Sequence, residues 1–245
     1  MLMRRLFSAP ALLTVGTLWV GFCPPLSATI IYDNTVNDLT TRFNPGTLEV
    51  GDEIILAGGP SKLQTFSFEF WGTSANSFNF AGNVQARVRF YENNGAPFNG
   101  YSTPGTVFYD SSWFQVPNPT SRSTFVFSAG SDFAPHGLTI PVSDMTWSVQ
   151  FQGLGSGDAA GVDLYSPPVV GQNFADYWEN DGGVWKLKQN PNVPIDFAAK
   201  MAAAVPDATG LEVLAIGVLS VLAFHRLLKY KGQLDSKRLC AVRAG

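Results

Sequence analysis

Catalysis needs particular side chains in particular combinations, and few of those combinations are available here. A Ser/His/Asp centre requires a histidine, and residues 29–204 contain His136 alone, held between Pro135 and Gly137. Gly155-Ser156-Gly157 comes near a nucleophile elbow, but Leu154 stands where G-x-S-x-G needs its first glycine. The same run fails as a dinucleotide fingerprint, because Asp158 occupies the position of the third glycine after Gly153 and Gly155. Cys23 and Cys240 both lie outside residues 29–204. That stretch therefore has no disulfide, thiolate nucleophile or Cys-ligated zinc. Glycoside hydrolysis asks for one positioned pair of carboxylates, and the sixteen scattered acids single out none.

Two binding chemistries remain. Asp158 and Asp163 bracket the glycine-rich run Gly153 to Gly161 and are the candidate ligands for a calcium ion, although EF-hand spacing is absent. No other cofactor is implied. Most aromatic residues follow apolar alternation and belong to a core, whereas Trp71, Tyr91, Tyr101, Trp113, Tyr177, Trp178 and Trp185 fall off that face or in loops. Exposed indole and phenol rings stack on the C–H faces of sugars, so Trp71, Trp113, Tyr177 and Trp178 are the candidate glycan contacts.

The elements that must position these residues are strands. Of the 245 residues, 45% are hydrophobic, 13% aromatic and 14% charged, with 24 glycines and 16 prolines, a balance that favours strands and turns. Phe66, Phe68 and Phe70 alternate with Ser67 and Glu69; Val84, Ala86, Val88 and Phe90 alternate with Gln85, Arg87 and Arg89. Met145, Trp147, Val149 and Phe151 repeat the pattern, and Ile195, Phe197, Ala199 and Met201 predict a last strand. Shorter apolar runs at 30–32, 53–57, 107–109, 113–116, 125–127 and 162–165 predict further strands, and Asn94-Gly95 suits a tight turn. No βαβ alternation or fixed-length repeat is present. The expected fold is all-β: an antiparallel β-sandwich of jelly-roll type over residues 29–204, followed by a C-terminal transmembrane helix.

Charge excludes one class of partner. Residues 29–204 hold eight basic side chains against sixteen acidic ones, a balance of −8, and so acidic a domain is a poor nucleic-acid binder.

The two ends carry addresses. Residues 1–28 combine Arg4-Arg5, an apolar run from Ala11 to Phe22, and Leu26-Ser27-Ala28 before Thr29, the layout of a cleaved signal peptide. At the other end Val213 to Phe224 is uninterrupted apolar sequence, followed by Arg226, Lys229 and Lys231. An apolar run closed by basic residues predicts a single span with its basic side in the cytoplasm. Residues 232–245 then form a cytoplasmic tail.

Val205-Pro206-Asp207, the apolar run and the basic cluster Arg226, Lys229 and Lys231 together resemble the PEP-CTERM sorting domain in its VPD variant, over residues 205–231. The resemblance implies an exported protein of an exopolysaccharide-producing bacterium, recognised by an exosortase, a membrane cysteine protease acting near the motif. Pro206-Asp207 replaces the more common Pro-Glu-Pro, and residues 232–245 continue past the point where the family usually stops. Gly51 to Leu56, Phe66 to Phe70, Val88 to Tyr91, Trp147 to Phe151 and Tyr177-Trp178 are similar to ectodomains that accompany such tails, for which no activity is established. The expected protein is an exported, non-enzymatic surface or matrix protein, anchored in the membrane or sorted from it. A carbohydrate-binding module for extracellular polysaccharide is the first alternative and a secreted glycan-active enzyme the second.

Overall fold

The apolar alternation finds its partner across a gap between two sheets. The computed structural model of the chain describes residues 28–58, 61–75 and 78–204. Val205-Pro206-Asp207, the apolar span and its basic cluster, the tail, and the export signal up to residue 27 lie outside the described residues. Strands β1 (Ala28–Asp33), β2 (Asp38–Phe43), β3 (Glu49–Ile55), β4 (Ser61–Thr73) and β5 (Gln85–Glu92) come first. Then follow β6 (Val107–Asp110), β7 (Phe114–Gln115), β8 (Thr120–Ser128), β9 (Leu138–Ile140) and β10 (Asp144–Gln152). The last are β11 (Ala159–Tyr165), β12 (Gln172–Asn173), β13 (Asp176–Asp181), β14 (Val184–Gln189) and β15 (Ala199–Ala204). There is no helix among the described residues, and none long and apolar enough to cross a membrane.

All the strand ladders are antiparallel and divide into two sheets. The first runs β1-β15-β4-β11-β2, with β8 and β9 on the other edge of β4; the second runs β14-β13-β3-β10-β5-β6, with β12 on β3 and β7 on β5. Each sheet turns one face inward. Phe66, Phe68 and Phe70 from β4 meet Trp147 from β10 and Phe90 from β5, with ring centroids 5.0 Å apart for Phe66 and Phe90, and 5.3 Å for Phe66 and Trp147. Side chains of alternate parity point outward, which places Glu69 and Trp71 on one outer face and Glu49, Arg89 and Tyr91 on the other.

Some elements differ from the sequence pattern. Asn94-Gly95 does not close a tight hairpin, because β5 and β6 are joined by the longer loop 93–106. There the Asn94 carboxamide accepts from the Thr106 amide at 2.8 Å and the Gly95 amide donates to the Thr103 carbonyl at 2.9 Å, lacing the loop across its neck. The two-residue hairpin lies instead at Gly182-Gly183, both with positive φ, between β13 and β14. The last strand starts at Ala199 and not at Ile195, since residues 195–198 form no continuous ladder: Phe197 makes an isolated bridge to Leu164, and Asp196 and Ala198 bond to the backbone of β11 and β4. β2 carries no apolar alternation strong enough to announce it.

Truncation of the buried Phe66 removes a ring that contacts Phe68, Phe90, Phe127 and Trp147. Phe66→Ala is expected to cost about 3–5 kcal/mol in urea unfolding. Val126→Ala, on the same sheet but largely exposed, is expected to stay within about 0.5 kcal/mol.

Candidate functional site

Two surface concavities bring functional side chains together, and they differ in how much of their polarity is already used. The first lies at the outer edge of β2 and β11. It has a volume of about 560 Å³ and is lined by Asp38, Thr40, Thr41, Arg42, Arg122 and Asp163. Register places Arg42 opposite Asp163, and Arg122 reaches over from β8 to donate to Asp38 Oδ2 at 2.6 Å. Arg42 donates to the Ser121 carbonyl and lies 3.6 Å from Asp163, while Arg122 lies 3.4 Å from Glu69 and 3.8 Å from Asp163. Thr40 holds a φ of 53°, unusual for a β-branched residue, and its amide donates to Asp38 Oδ1 at 2.7 Å.

Asp163 sits at the bottom of this groove with its side chain 2% exposed. Burial is the larger influence and lifts its carboxyl to about 6, against the opposing attraction of Arg122 and Arg42. Neither arginine makes a close hydrogen bond to it, which is why attraction does not win. Asp38, nearer to solvent, is held below its ordinary value by the hydrogen bond from Arg122. The groove is thus an internally neutralised Arg-carboxylate lattice, and Asp163 is sealed from a substrate oxygen.

The second concavity is a lateral cleft of about 340 Å³ at the seam where β8 of one sheet faces β6 and β7 of the other. Its floor is aromatic. Phe114 meets Phe125 edge-on at 4.9 Å and Phe127 at 5.4 Å, and Tyr109 stands edge-on to Phe133 at 5.1 Å. The rim is polar, formed by Asp110, Ser111, Ser131 and Asp132. Arg87 grips Asp110 with two nitrogens, and Ser111 is occupied by the Val88 amide and the Ser112 carbonyl. Asp132 differs: its Oδ2 accepts from the Ser128 amide at 2.9 Å and the Ser131 hydroxyl at 2.7 Å, while Oδ1 has no hydrogen bond among the described residues. The Tyr109 hydroxyl is likewise unbonded there. Burial first, then Asp132 and Asp110, push its pKa up to about 12, so it stays a neutral donor at physiological pH.

The four aromatic residues singled out in the sequence do not share a platform. Trp71 is 8% exposed, lying flat beside Gly161 on the outer face of β4 with the Arg42 guanidinium 5.8 Å from its ring centre. A Cβ at Gly161 would approach its ring to 3.0 Å and the Phe43 carbonyl to 2.0 Å, so glycine is what lets the indole lie there. Tyr177 packs against Phe43 at 4.8 Å, on the core side of β13. Trp178 is fully buried and donates its indole N–H to Glu53 at 3.0 Å, which leaves it no free face for a sugar. Trp113, like Tyr177, is partly open; its ring lies 5.8 Å from Arg87, and it is next in sequence to Phe114 of the cleft floor. Periodicity could not separate these cases, because an indole covered on an outer face has the same parity as an exposed one.

The calcium candidates are also apart in function. Asp158 accepts from the amides of Ala81, Gly82 and Gly155 at 2.8–2.9 Å. Desolvation opposes these bonds and one from Ser74, but the bonds prevail and hold the carboxyl near about 2. Its oxygens serve to clasp two loops. Asp163 faces the arginines instead, and no group of three His, Cys, Asp or Glu residues able to hold a metal exists among the described residues. His136 and Ser156 are both exposed in turns.

No protein-family model, curated protein or solved structure matches the chain.

The raised pKa of Asp163 has a definite sign in stability. The proton is bound more tightly in the folded state, so the contribution is fully present below about pH 4 and lost as pH rises through about 6. Urea unfolding midpoints taken between these limits should fall less steeply in Asp163→Asn than in the wild type. An unchanged slope would show that Asp163 ionises without cost.

Proposed function

We propose that this chain is an exported, non-catalytic surface protein whose ectodomain binds saccharide in the lateral cleft. The observation that carries the binding reading is the combination of an aromatic floor, Tyr109, Phe114, Phe125 and Phe127, with an unused acceptor on Asp132 and an unused donor on Tyr109. Sugar C–H faces seat on the rings while hydroxyls bond to the carboxylate and the phenol. A non-catalytic role is supported by the state of the surface acids, since Asp38, Asp110 and Asp158 are each engaged by arginines or backbone amides.

Export and anchoring rest on the terminal segments of the sequence. In this proposal the sandwich has jelly-roll connectivity, an exosortase-like enzyme recognises Val205-Pro206-Asp207, and a transmembrane helix ends at Arg226, Lys229 and Lys231. Thr29 pairs with Ala203, so both ends of the ectodomain leave from one corner, which suits a domain held at a single point near an exopolysaccharide matrix.

Two measurements test this. Mass spectrometry of protein from its native cell should find Thr29 as the mature N-terminus, and a cytoplasmic chain beginning at Met1 would refute export. In glycan-array binding, Phe114→Ala and Asp132→Asn should each weaken retained ligands by about tenfold, the order of one lost stacking or charged hydrogen-bond contact. Absence of binding across a broad exopolysaccharide panel would refute the cleft as a saccharide site, and reducing-sugar release would refute the non-catalytic reading.

A further inference from the structure

The inner face of β3 carries a carboxylate where the apolar core would be expected. Asp52 lies between Val50 and Ile54 in parity, is completely buried, and stands opposite Trp147 in the ladder. Its Oδ2 accepts from the Phe197 amide at 2.9 Å, but Oδ1 has no partner. Asp196, 1% exposed, comes close enough to repel it, and Asp196 Oδ1 is also unpartnered. Two more orphans surround the pair. The fully buried Tyr32 hydroxyl lies in the field of both carboxylates and makes no close hydrogen bond, and the Asn173 carboxamide is directed at both Tyr32 and Asp196 without a close bond to either. Ser166 faces Asp196 from the end of β11.

No basic side chain pairs with Asp52 or Asp196 among the described residues: Lys200, the nearest in sequence, is bound to Asp33 at 2.7 Å. Asp176 and Glu53 add further negative charge. A buried carboxylate pair without a counter-ion is costly, and three oxygens without a close partner, Asp52 Oδ1, Asp196 Oδ1 and the Tyr32 hydroxyl, add to the cost. Carboxylate, phenol and hydroxyl oxygens, with the Asn173 carboxamide oxygen once that group is turned, are the ligand set that hard cations prefer.

We propose that Asp52, Asp196, Tyr32, Asn173 and Ser166 form a buried site for a hard divalent cation of the calcium type. Two carboxylates neutralise the ion, and the hydroxyls, the carboxamide and water fill its remaining positions. Such a low ligand charge fits the weak affinities, about 10⁻⁴ to 10⁻³ M, of extracellular modules. The ion would join β1, β3, β12 and the segment before β15, and so tie the two sheets together at the end of β1 remote from Ala28 and Ala204.

Terbium luminescence on the full-length chain in detergent tests the site, with calcium-dependent melting as a second readout. Terbium should show saturable sensitised emission, excited through Tyr32 and Trp147 and displaced by calcium. Calcium should raise the melting temperature of the wild type. Asp52→Asn and Asp196→Asn should each abolish both effects, and Tyr32→Phe, which removes only a hydroxyl, should weaken calcium binding several-fold if Asp52→Asn proves unstable. Asp158→Asn should leave terbium binding intact. Overturning results would be an absence of saturable emission, emission unchanged in Asp52→Asn and Asp196→Asn, or a melting temperature indifferent to calcium.

Discussion

The contact between the β4 phenylalanines and Trp147 sets most of the rest of the molecule. β4 is thirteen residues long and is paired along both edges, by β15 and β11 on one side and by β9 and β8 on the other. Its inward rings seat against β10 of the second sheet, with Phe68 5.8 Å from Trp147. With no helix among the described residues and no cysteine between residues 29 and 204, cohesion there falls on this inter-sheet packing and on the ladders. Because side chains alternate, fixing the inward ring set also fixes the outward one. Glu69 and Trp71 must then face out beside Asp163 and Arg42, and the charged groove follows from the same register that builds the core.

Much of this was readable from residue order. Phe66 to Phe70, Val84 to Phe90 and Met145 to Phe151 announce their strands and their buried faces, and all of their inward residues are buried. The sandwich could be inferred from them because period-2 alternation has no other economical explanation. β2 and the β13–β14 hairpin were illegible for a physical reason. Asp38, Thr40 and Arg42 face an ion-pair lattice, so the outer positions are charged while the inner ones, Leu39, Thr41 and Phe43, are only half-buried. The lateral cleft was harder still. Its walls come from β6, β7, β8 and the turn at 131–132, whose convergence depends on how the edges of two sheets meet. Tyr109 and Asp132 lie 23 residues apart in the chain, and nothing in their local sequence ties them together.

The carboxylates show how one side-chain chemistry takes different states according to what burial brings within reach. Glu49 and Asp52 are three residues apart on β3, so an odd separation sends them to opposite faces. Glu49, outward but covered, is met by Tyr91, Ser148, Arg89 and Asn180 at 2.6–3.1 Å. Asp158 is met by three amides and is easily ionised. Asp163 has two arginines, but at 3.6 and 3.8 Å, and burial prevails. Asp52 has a single amide, and its pKa is raised well above the ordinary range by burial and by Asp196. The ordering follows the number of close donors more than the count of nearby charges, because a hydrogen bond replaces lost hydration directly whereas a distant cation does so only in part. By that rule the Asp52–Asp196 pair is the place in the described core where two carboxylates face each other with no basic partner, and an unanswered carboxylate between two sheets is a position for a cation.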